Sequence, residues 1–371
     1  DGSATKLRLQ LEESGRNLRE YKRWRTRWVD LDGRQKTKDF ARKADAQRFA
    51  DETNAAILRN EYIDARQGRT TVLDIYEEWE PTTSVSDKTR YTRKSTWKNH
   101  LLDKWGDRPV STIKDVEVQA WVAEEFRSGT SRAVLQQALA LFRLLLGYAV
   151  KTGRTMSNAA SGVKLPPKQP SDRCFLNVQQ VKALAQAAGE HYSLFIQVLS
   201  TTGIRFGEAT ALRVSDVDLN GSRIRIQRAF TSVGGRLIEK SPKSHASRTV
   251  LFPAFLRDDL EHSMRHKDPT DLVFTTAEGY PIRNENFRRR VFLGAVKEAG
   301  EILGTPLPPV TVHDLRHTAA SLAISSGANI KVIQRMLGHA SADMTLDVYG
   351  HLYESDLDSV AQRMNQQFRS A

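Results

Sequence analysis

Cysteine is almost absent from this chain, with one residue, Cys174, in 371. A disulfide framework and a cysteine-rich zinc site are thereby excluded, and the usage fits a reducing cytoplasm. Cys174 has no catalytic-looking neighbours in sequence and reads as a small hydrophobe, the usual fate of a free cysteine. Long apolar runs are scarce too. None approaches the roughly 20 residues that span a bilayer, and no signal-peptide pattern opens the chain. Internal repeats and low-complexity tracts are also missing. Acidic residues are in deficit, 44 Asp and Glu against 56 Lys and Arg.

That deficit leaves a net charge of +12 and a pI of about 9.7. A surplus of this size points to a polyanion, either nucleic acid or an anionic membrane surface. The membrane reading lacks its usual support, a basic amphipathic helix with an exposed aromatic face. With 39% hydrophobic and 27% charged residues the chain should fold as ordinary globular protein, and its length suits two or three domains.

Three domains are expected, at residues 1–66, 67–165 and 166–371. Composition changes near Gly68 and near Val163. The stretch Lys164-Leu165-Pro166-Pro167-Lys168-Gln169-Pro170 cannot continue a helix and reads as an extended linker. The expected fold class is multidomain: a small three-stranded sheet plus helix, then an all-α bundle, then a mixed, mainly-α domain with a small antiparallel sheet.

In the first segment residues 21–30 alternate, with Trp24 and Trp28 on one face and Arg23, Arg25 and Arg27 on the other. Asp32-Gly33 signals a hairpin turn, and residues 35–40 supply the returning strand. A helix carrying Ala46, Phe49, Ala50, Thr53 and Ile57 on one side suits the tryptophan face. Between Arg16 and Lys43 there are 11 Lys and Arg against four Asp and Glu, a balance of +7. A helix-backed sheet with arginines on its open face suits insertion into a DNA major groove.

The second segment reads as helical, near 72–79, 88–100, 114–127 and 130–152, the last with an apolar stripe of Val134, Leu135, Ala138, Leu141, Leu145 and Tyr148. Lys88, Arg90, Arg93, Lys94 and Lys98 make its second helix basic and are candidate DNA contacts, although such a run is more often simply solvated. The third segment mixes helices near 178–188 and 193–202 with strands near 223–227, 236–239 and 249–252.

Transferring a phosphodiester without metal or nucleotide requires a nucleophile, cations for the non-bridging oxygens, and an acid for the leaving oxygen. Arginine grips two phosphate oxygens at once, and a tyrosyl phosphate ester conserves bond energy for the reverse reaction. The third segment offers these groups in order. Arg205 follows a glycine turn in TGIRFGE, and Lys243 lies in SPKSHASR, which reads as a hairpin between two strands. His313 and Arg316 share a helical face in HDLRH, then come His339 in LGH and Tyr349 in TLDVYGH.

These five motifs, in this order and spacing, resemble the signature of the tyrosine recombinase family of phage integrases, and in general likeness those of mycobacteriophages. The resemblance covers the whole third segment. It implies that Arg205 and Arg316 clamp the scissile phosphate, His313 assists proton transfer, and His339 binds a non-bridging oxygen. Lys243 would protonate the leaving 5′ oxygen, and Tyr349 would attack to give a 3′-phosphotyrosyl intermediate, with Glu208 a supporting group. Lys243 fits the family's β-hairpin position better than Lys240. Tyr353, four residues beyond Tyr349 and on the same helical face, is its rival. The family pattern sets the nucleophile nine or ten residues after the LGH histidine, and Tyr349 is tenth after His339. His317, Lys240, His245 and His351 read as surface groups or as histidines satisfying core hydrogen bonds.

The same resemblance implies a core-binding second domain, an arm-binding first domain, and a C-terminal tail (Leu357, Val360, Ala361, Met364, Phe368) docking on a neighbouring subunit. The expected partners are double-stranded DNA at core-type and arm-type attachment sites, further copies in a tetramer passing through a Holliday junction, a host DNA-bending factor and an excisionase. No cofactor and no metal are expected, and the place of action is the bacterial host cytoplasm, on the nucleoid. The other readings are a type IB topoisomerase-like enzyme and a catalytically inactive architectural DNA-binding protein.

Overall fold

The computed structural model describes residues 24–29, 35–58, 67–168, 174–241, 247–339, 341–352 and 364–369. Arg23, Lys243, His245, Tyr353, the Asp32-Gly33 turn and tail positions Leu357, Val360 and Ala361 lie outside them. The chain divides into two compact units, Asp1–Gln169 and Pro170–Ala371.

In the first unit β1 (Trp24–Val29) pairs antiparallel with β2 (Gln35–Phe40), Trp24 opposite Phe40 and Val29 opposite Gln35. Two isolated strands are marginal in water, and α1 (Lys43–Leu58) supplies the missing cover. Trp28 meets Phe49 edge-on at 5.3 Å, and the buried Thr26 hydroxyl donates to the Ala46 carbonyl at 3.1 Å. The period-two alternation thus places Thr26 and Trp28 against the helix and Arg25 and Arg27 on the open face. Among the described residues this sheet has two strands where three are expected.

The helical part of that unit begins with α2 (Val72–Trp79), closed by a capping box between Thr71 and Asp74. Then α3 (Asp87–Thr96) continues through a π-helical turn, Trp97–Leu101, into Leu102–Trp105. Trp97, Leu101 and Trp105, spaced by four, are all buried. They face α4 (Asp115–Arg127) and α5 (Arg132–Lys151), where Trp105 contacts Trp121 at 6.0 Å and Phe142 at 5.0 Å. By length and average composition alone α5 could cross a membrane, although Gln136, Gln137 and Arg143 interrupt its apolar residues. Eight of its residues, Leu135 to Ala149, are instead buried in this helical core, the ordinary fate of an apolar stripe of this width. The linker stretch starts tied to this core: Gln119 exchanges hydrogen bonds with the Lys164 backbone, and Arg132 donates to the Pro166 carbonyl.

The second unit packs α6 (Val178–Ala187) against α7 (Glu190–Thr202), followed by the short α8 (Phe206–Thr210). A three-stranded sheet, β3 (Val217–Asp218), β4 (Arg223–Ile226) and β7 (Arg248–Leu251), lies beside a separate hairpin, β5 (Ala229–Val233) and β6 (Arg236–Lys240). This pairing differs from the hairpin expected around Lys243. The strands flanking Lys243 do not pair with each other: β6 pairs with β5 through the Gly234-Gly235 turn, both glycines at positive φ, and β7 pairs with β4. The two-glycine turn matches the strand twist and decides the pairing, so the strands before and after Lys243 belong to different sheets.

The helices Arg257–Met264 (α9), Leu293–Leu303 (α10), Asp314–Ser325 (α11), Ile330–Leu337 (α12) and Asp343–Tyr349 (α13) complete the unit. Phe195 at its centre contacts Phe206, Phe274 and Phe287 at 5.1–5.5 Å. With α10 on α6 and α11 on α7, the core holds the start of α8 and the start of α11 in place. Residues 364–369 are helical and exposed, Phe368 among them.

Candidate active site

The site begins where α7 stops. Gly203 takes a left-handed conformation (φ 66°) as C-cap, which residues with a Cβ rarely adopt, and turns the chain so that Arg205 caps α8. The Arg205 amide and guanidinium both donate to the Glu208 carboxylate, at 2.9 and 3.0 Å. Glu208 is buried and is gripped from its other side by Arg248 of β7, at 2.9 and 2.6 Å. Burial works to raise the Glu208 pKa, but the Arg248 hydrogen bonds and charge, followed by Arg205, outweigh it and hold the carboxyl below its usual range.

Arg316, 5% exposed, rises from the first turn of α11 and donates to the Gly203 and Leu337 carbonyls. These are the ends of α7 and α12, where unpaired carbonyls favour a cation. Burial and the nearby Arg205 and Arg248 charges push its pKa down to about 9, so it remains a cation at neutral pH. His313 caps the same helix. Its pKa is lowered by burial and by Arg316 and Arg205, although part of the residue faces solvent. His339 follows the left-handed Gly338, shares a hydrogen bond from Nδ1 with the buried Thr345 hydroxyl at 2.9 Å, and is pushed down to about 4 by burial and then by Arg316 and Arg205. The Gly338 position favours glycine because its φ is 64°, and a Cβ there would also sit 2.8 Å from Arg248 Cδ and displace that side chain.

Tyr349, the last residue of α13, is fully buried beside Ala320, Ile324, Ile333 and Leu337. Its hydroxyl lies 2.7 Å from His317 Nδ1, and the His317 ring stands edge-on to His313 at 5.2 Å. Arg205, Glu208, His313, Arg316, His339 and Tyr349 are therefore brought within hydrogen-bonding or electrostatic reach of one another, from four helices. Three participants were not assigned from sequence: Arg248, His317 and Thr345. Arg248 stands in the quoted SPKSHASR motif, and His317 directly follows Arg316. Only the tertiary contact distinguishes either from a surface charge or a core histidine.

The expected DNA-contact side chains divide. Arg27, Lys88, Lys94 and Lys98 are exposed. Arg25 is bound to Asp39 across the strand pair at 2.6 and 3.0 Å. Arg90 is engaged with Glu80 and the Thr83 carbonyl, and Arg93 stacks 5.0 Å above Trp79, so both pack on their own domain. Cys174 is partly buried, and burial followed by the Asp314 charge raises its thiol pKa, which keeps it from being a ready thiolate. Among the described residues no group of three or more His, Cys, Asp or Glu side chains is placed to hold a metal.

Residues 174–356 match the phage integrase family, and residues 71–126 match the phage integrase N-terminal SAM-like domain; together they span more than half the chain. The prophage phiRv2 integrase of Mycobacterium tuberculosis is 28% identical over 344 residues, 87% of this chain and 88% of its own length. The integrase of Mycobacterium phage FRAT1 is 25% identical over 80% of this chain and 88% of its own. In fold, the chain is similar to the Tn1549 transposon integrase solved in complex with a circular intermediate DNA, with a TM-score of 0.69 at 19% identity over 80% of this chain and 99% of that one. With the arginine-rich site assembled around a buried tyrosine, these likenesses settle its kinship: the chain belongs to the tyrosine recombinase family of phage integrases.

Proposed function

We infer that this recombinase, an enzyme that cuts and rejoins DNA at specific sites, does so through Tyr349 within the Arg205–Arg316 site. Arg205 and Arg316 hold the non-bridging oxygens of the scissile phosphate, and His339 donates to one of them. Neutral imidazole suits that task, since its proton serves as a hydrogen-bond donor and is not released. His313 assists proton transfer, and Lys243 supplies the proton to the leaving 5′ oxygen. Tyr349 Oη forms a bond to phosphorus as the bond to O5′ breaks, leaving a 3′-phosphotyrosyl ester and a free 5′ hydroxyl. Rejoining reverses these steps, and the ester conserves the bond energy, so neither nucleotide nor metal enters the balance.

The observation that carries this reading is the convergence of Arg316, backed by two helix ends, with Arg205 and the Tyr349 phenol. The phenol is covered in this structure, so attack follows its uncovering when DNA binds. The basic, helix-backed sheet around Arg25 and Arg27 is proposed to read arm-type sites, and α3, with Lys88, Lys94 and Lys98, to bear on core-type sites. We place the enzyme in a tetramer on DNA in the bacterial cytoplasm, assisted by a host bending factor and an excisionase, with integration and excision passing through a Holliday junction.

The test is trapping on a nicked suicide duplex that carries a core site recovered from a random-sequence pool by selection on the full chain. Wild type and Tyr353→Phe should form a covalent adduct on a denaturing gel, and Tyr349→Phe should not. Tight binding by wild type with no adduct would leave a DNA-binding protein without cleavage.

A further inference from the structure

We propose that His317 is the base that takes the Tyr349 proton during strand cleavage and returns it during rejoining. The proposal rests on the recombinase reading above. An ordinary phenol, with a pKa near 10, is ionised to roughly one part in a thousand at neutral pH. A nucleophilic tyrosine therefore gains from a base within about 2.6–3.2 Å. His317 Nδ1 lies 2.7 Å from Tyr349 Oη.

The ring is placed by rigid structure. His317 directly follows Arg316 on α11, whose guanidinium ties two helix ends together. It is wedged between His313 at 5.2 Å and the Tyr349 ring at 5.8 Å between centroids. Three other basic groups of the site are engaged elsewhere. Glu208 is locked between Arg205 and Arg248, and His339 directs Nδ1 to Thr345. Asp314 is occupied with the Thr311 amide and hydroxyl. Among the described residues, His317 is a histidine seen to meet the reacting atom.

The Oη–H bond breaks and its proton passes to Nδ1, with the neutral ring carrying its own proton on Nε2. The Oη electron pair forms the bond to phosphorus. The P–O5′ bond breaks with its pair on O5′, which takes a proton from the acid of the site, assigned to Lys243. An imidazolium then stands beside the phosphorane, whose negative oxygens offset a charge that the Arg205, Arg248 and Arg316 cluster would otherwise repel. In rejoining, the imidazolium returns its proton to the departing phenolate.

Two suicide duplexes separate this role from that of the acid: one natural, and one with sulfur in place of the scissile 5′ oxygen, which leaves without needing a proton. His317→Gln and His317→Asn should bind both duplexes as wild type does but form adduct about 100-fold more slowly on both, the scale of a lost general base. Lys243→Ala should recover on the sulfur duplex. For His317→Gly, added imidazole should restore cleavage in proportion to its unprotonated fraction, which a purely structural role would not allow. Wild-type cleavage by His317→Gln, recovery of that variant on sulfur, or failure of imidazole to restore His317→Gly would each overturn the assignment. Absence of adduct with wild type itself would overturn the recombinase reading as well, whereas adduct formation lost only in Tyr349→Phe would leave that reading standing.

Discussion

Arg248 reaches back forty residues to grip both oxygens of Glu208, at 2.9 and 2.6 Å, with a side chain only 10% exposed. The same carboxylate holds the Arg205 backbone and guanidinium. The sheet therefore positions Arg205 through a shared buried anion. A carboxylate left in that place with one partner removed is poorly compensated, and the loss should exceed what a surface ion pair contributes.

Arg248→Ala is expected to destabilise the chain by about 3–5 kcal/mol, the scale for breaking a buried pair by removing one partner. Arg248→Lys keeps the charge, loses the two-point grip, and should fall between the two. Urea unfolding measures both. A wild-type midpoint in Arg248→Ala would show that the carboxylate needs only Arg205.

Gly207 lies in α8 where a Cβ would stand 2.4 Å from the Phe230 carbonyl oxygen, a backbone atom of β5. Gly207→Ala must push the start of α8 away from the hairpin, at a cost of about 1–3 kcal/mol, and carry Arg205 with it. Slower adduct formation alongside a lower melting temperature is the expected pair of results. An unaltered melting temperature would sink the argument.

The pH dependence follows from His339, held at about 4 against an ordinary value of 6.5. Below 6.5 the unfolded chain takes up a proton that the folded site refuses. Stability from this group is therefore full above about 6.5 and is lost as pH falls toward about 4, the direction linkage requires for a depressed histidine. Glu208, also depressed, adds a loss in the same direction at lower pH, as it protonates. Melting curves at pH 7 and pH 5 should draw together in His339→Asn relative to wild type; equal spacing in both would assign the loss to other groups.

On the N-terminal sheet, Arg27 is exposed while Arg25 is bound to Asp39. If Arg27 meets a phosphate, Arg27→Ala should reduce the slope of log affinity against log salt by about 0.9 for a short random-sequence duplex. Arg25→Ala should change it less, because that charge is already partly balanced. Identical slopes for Arg27→Ala and wild type would remove Arg27 from the DNA interface.

Several elements were legible from local pattern. The period-two alternation of residues 24–29 and the apolar spacing behind α2, α5 and α6 depend only on which faces must be buried, and the structure follows them. The β5 strand was missed, because Ala229–Val233 carries no alternation; its partner is set by the Gly234-Gly235 turn. Arg90 and Arg93 read as part of a basic face, yet their guanidiniums find Glu80 and Trp79 only once α2 and α3 pack.

The chain's family was determined by sequence, because the TGIRFGE, HDLRH, LGH and TLDVYGH motifs are recognisable by type and order. Which groups touch was decided by the fold alone. Glu208 and Arg248 are separated by forty residues, and His317 and Tyr349 by 32, distances over which no periodicity carries information. Contacts of that kind exist only after α8, α11, α13 and β7 have been brought together by the burial of their apolar sides, and burial specifies position without regard to the polar partners it delivers.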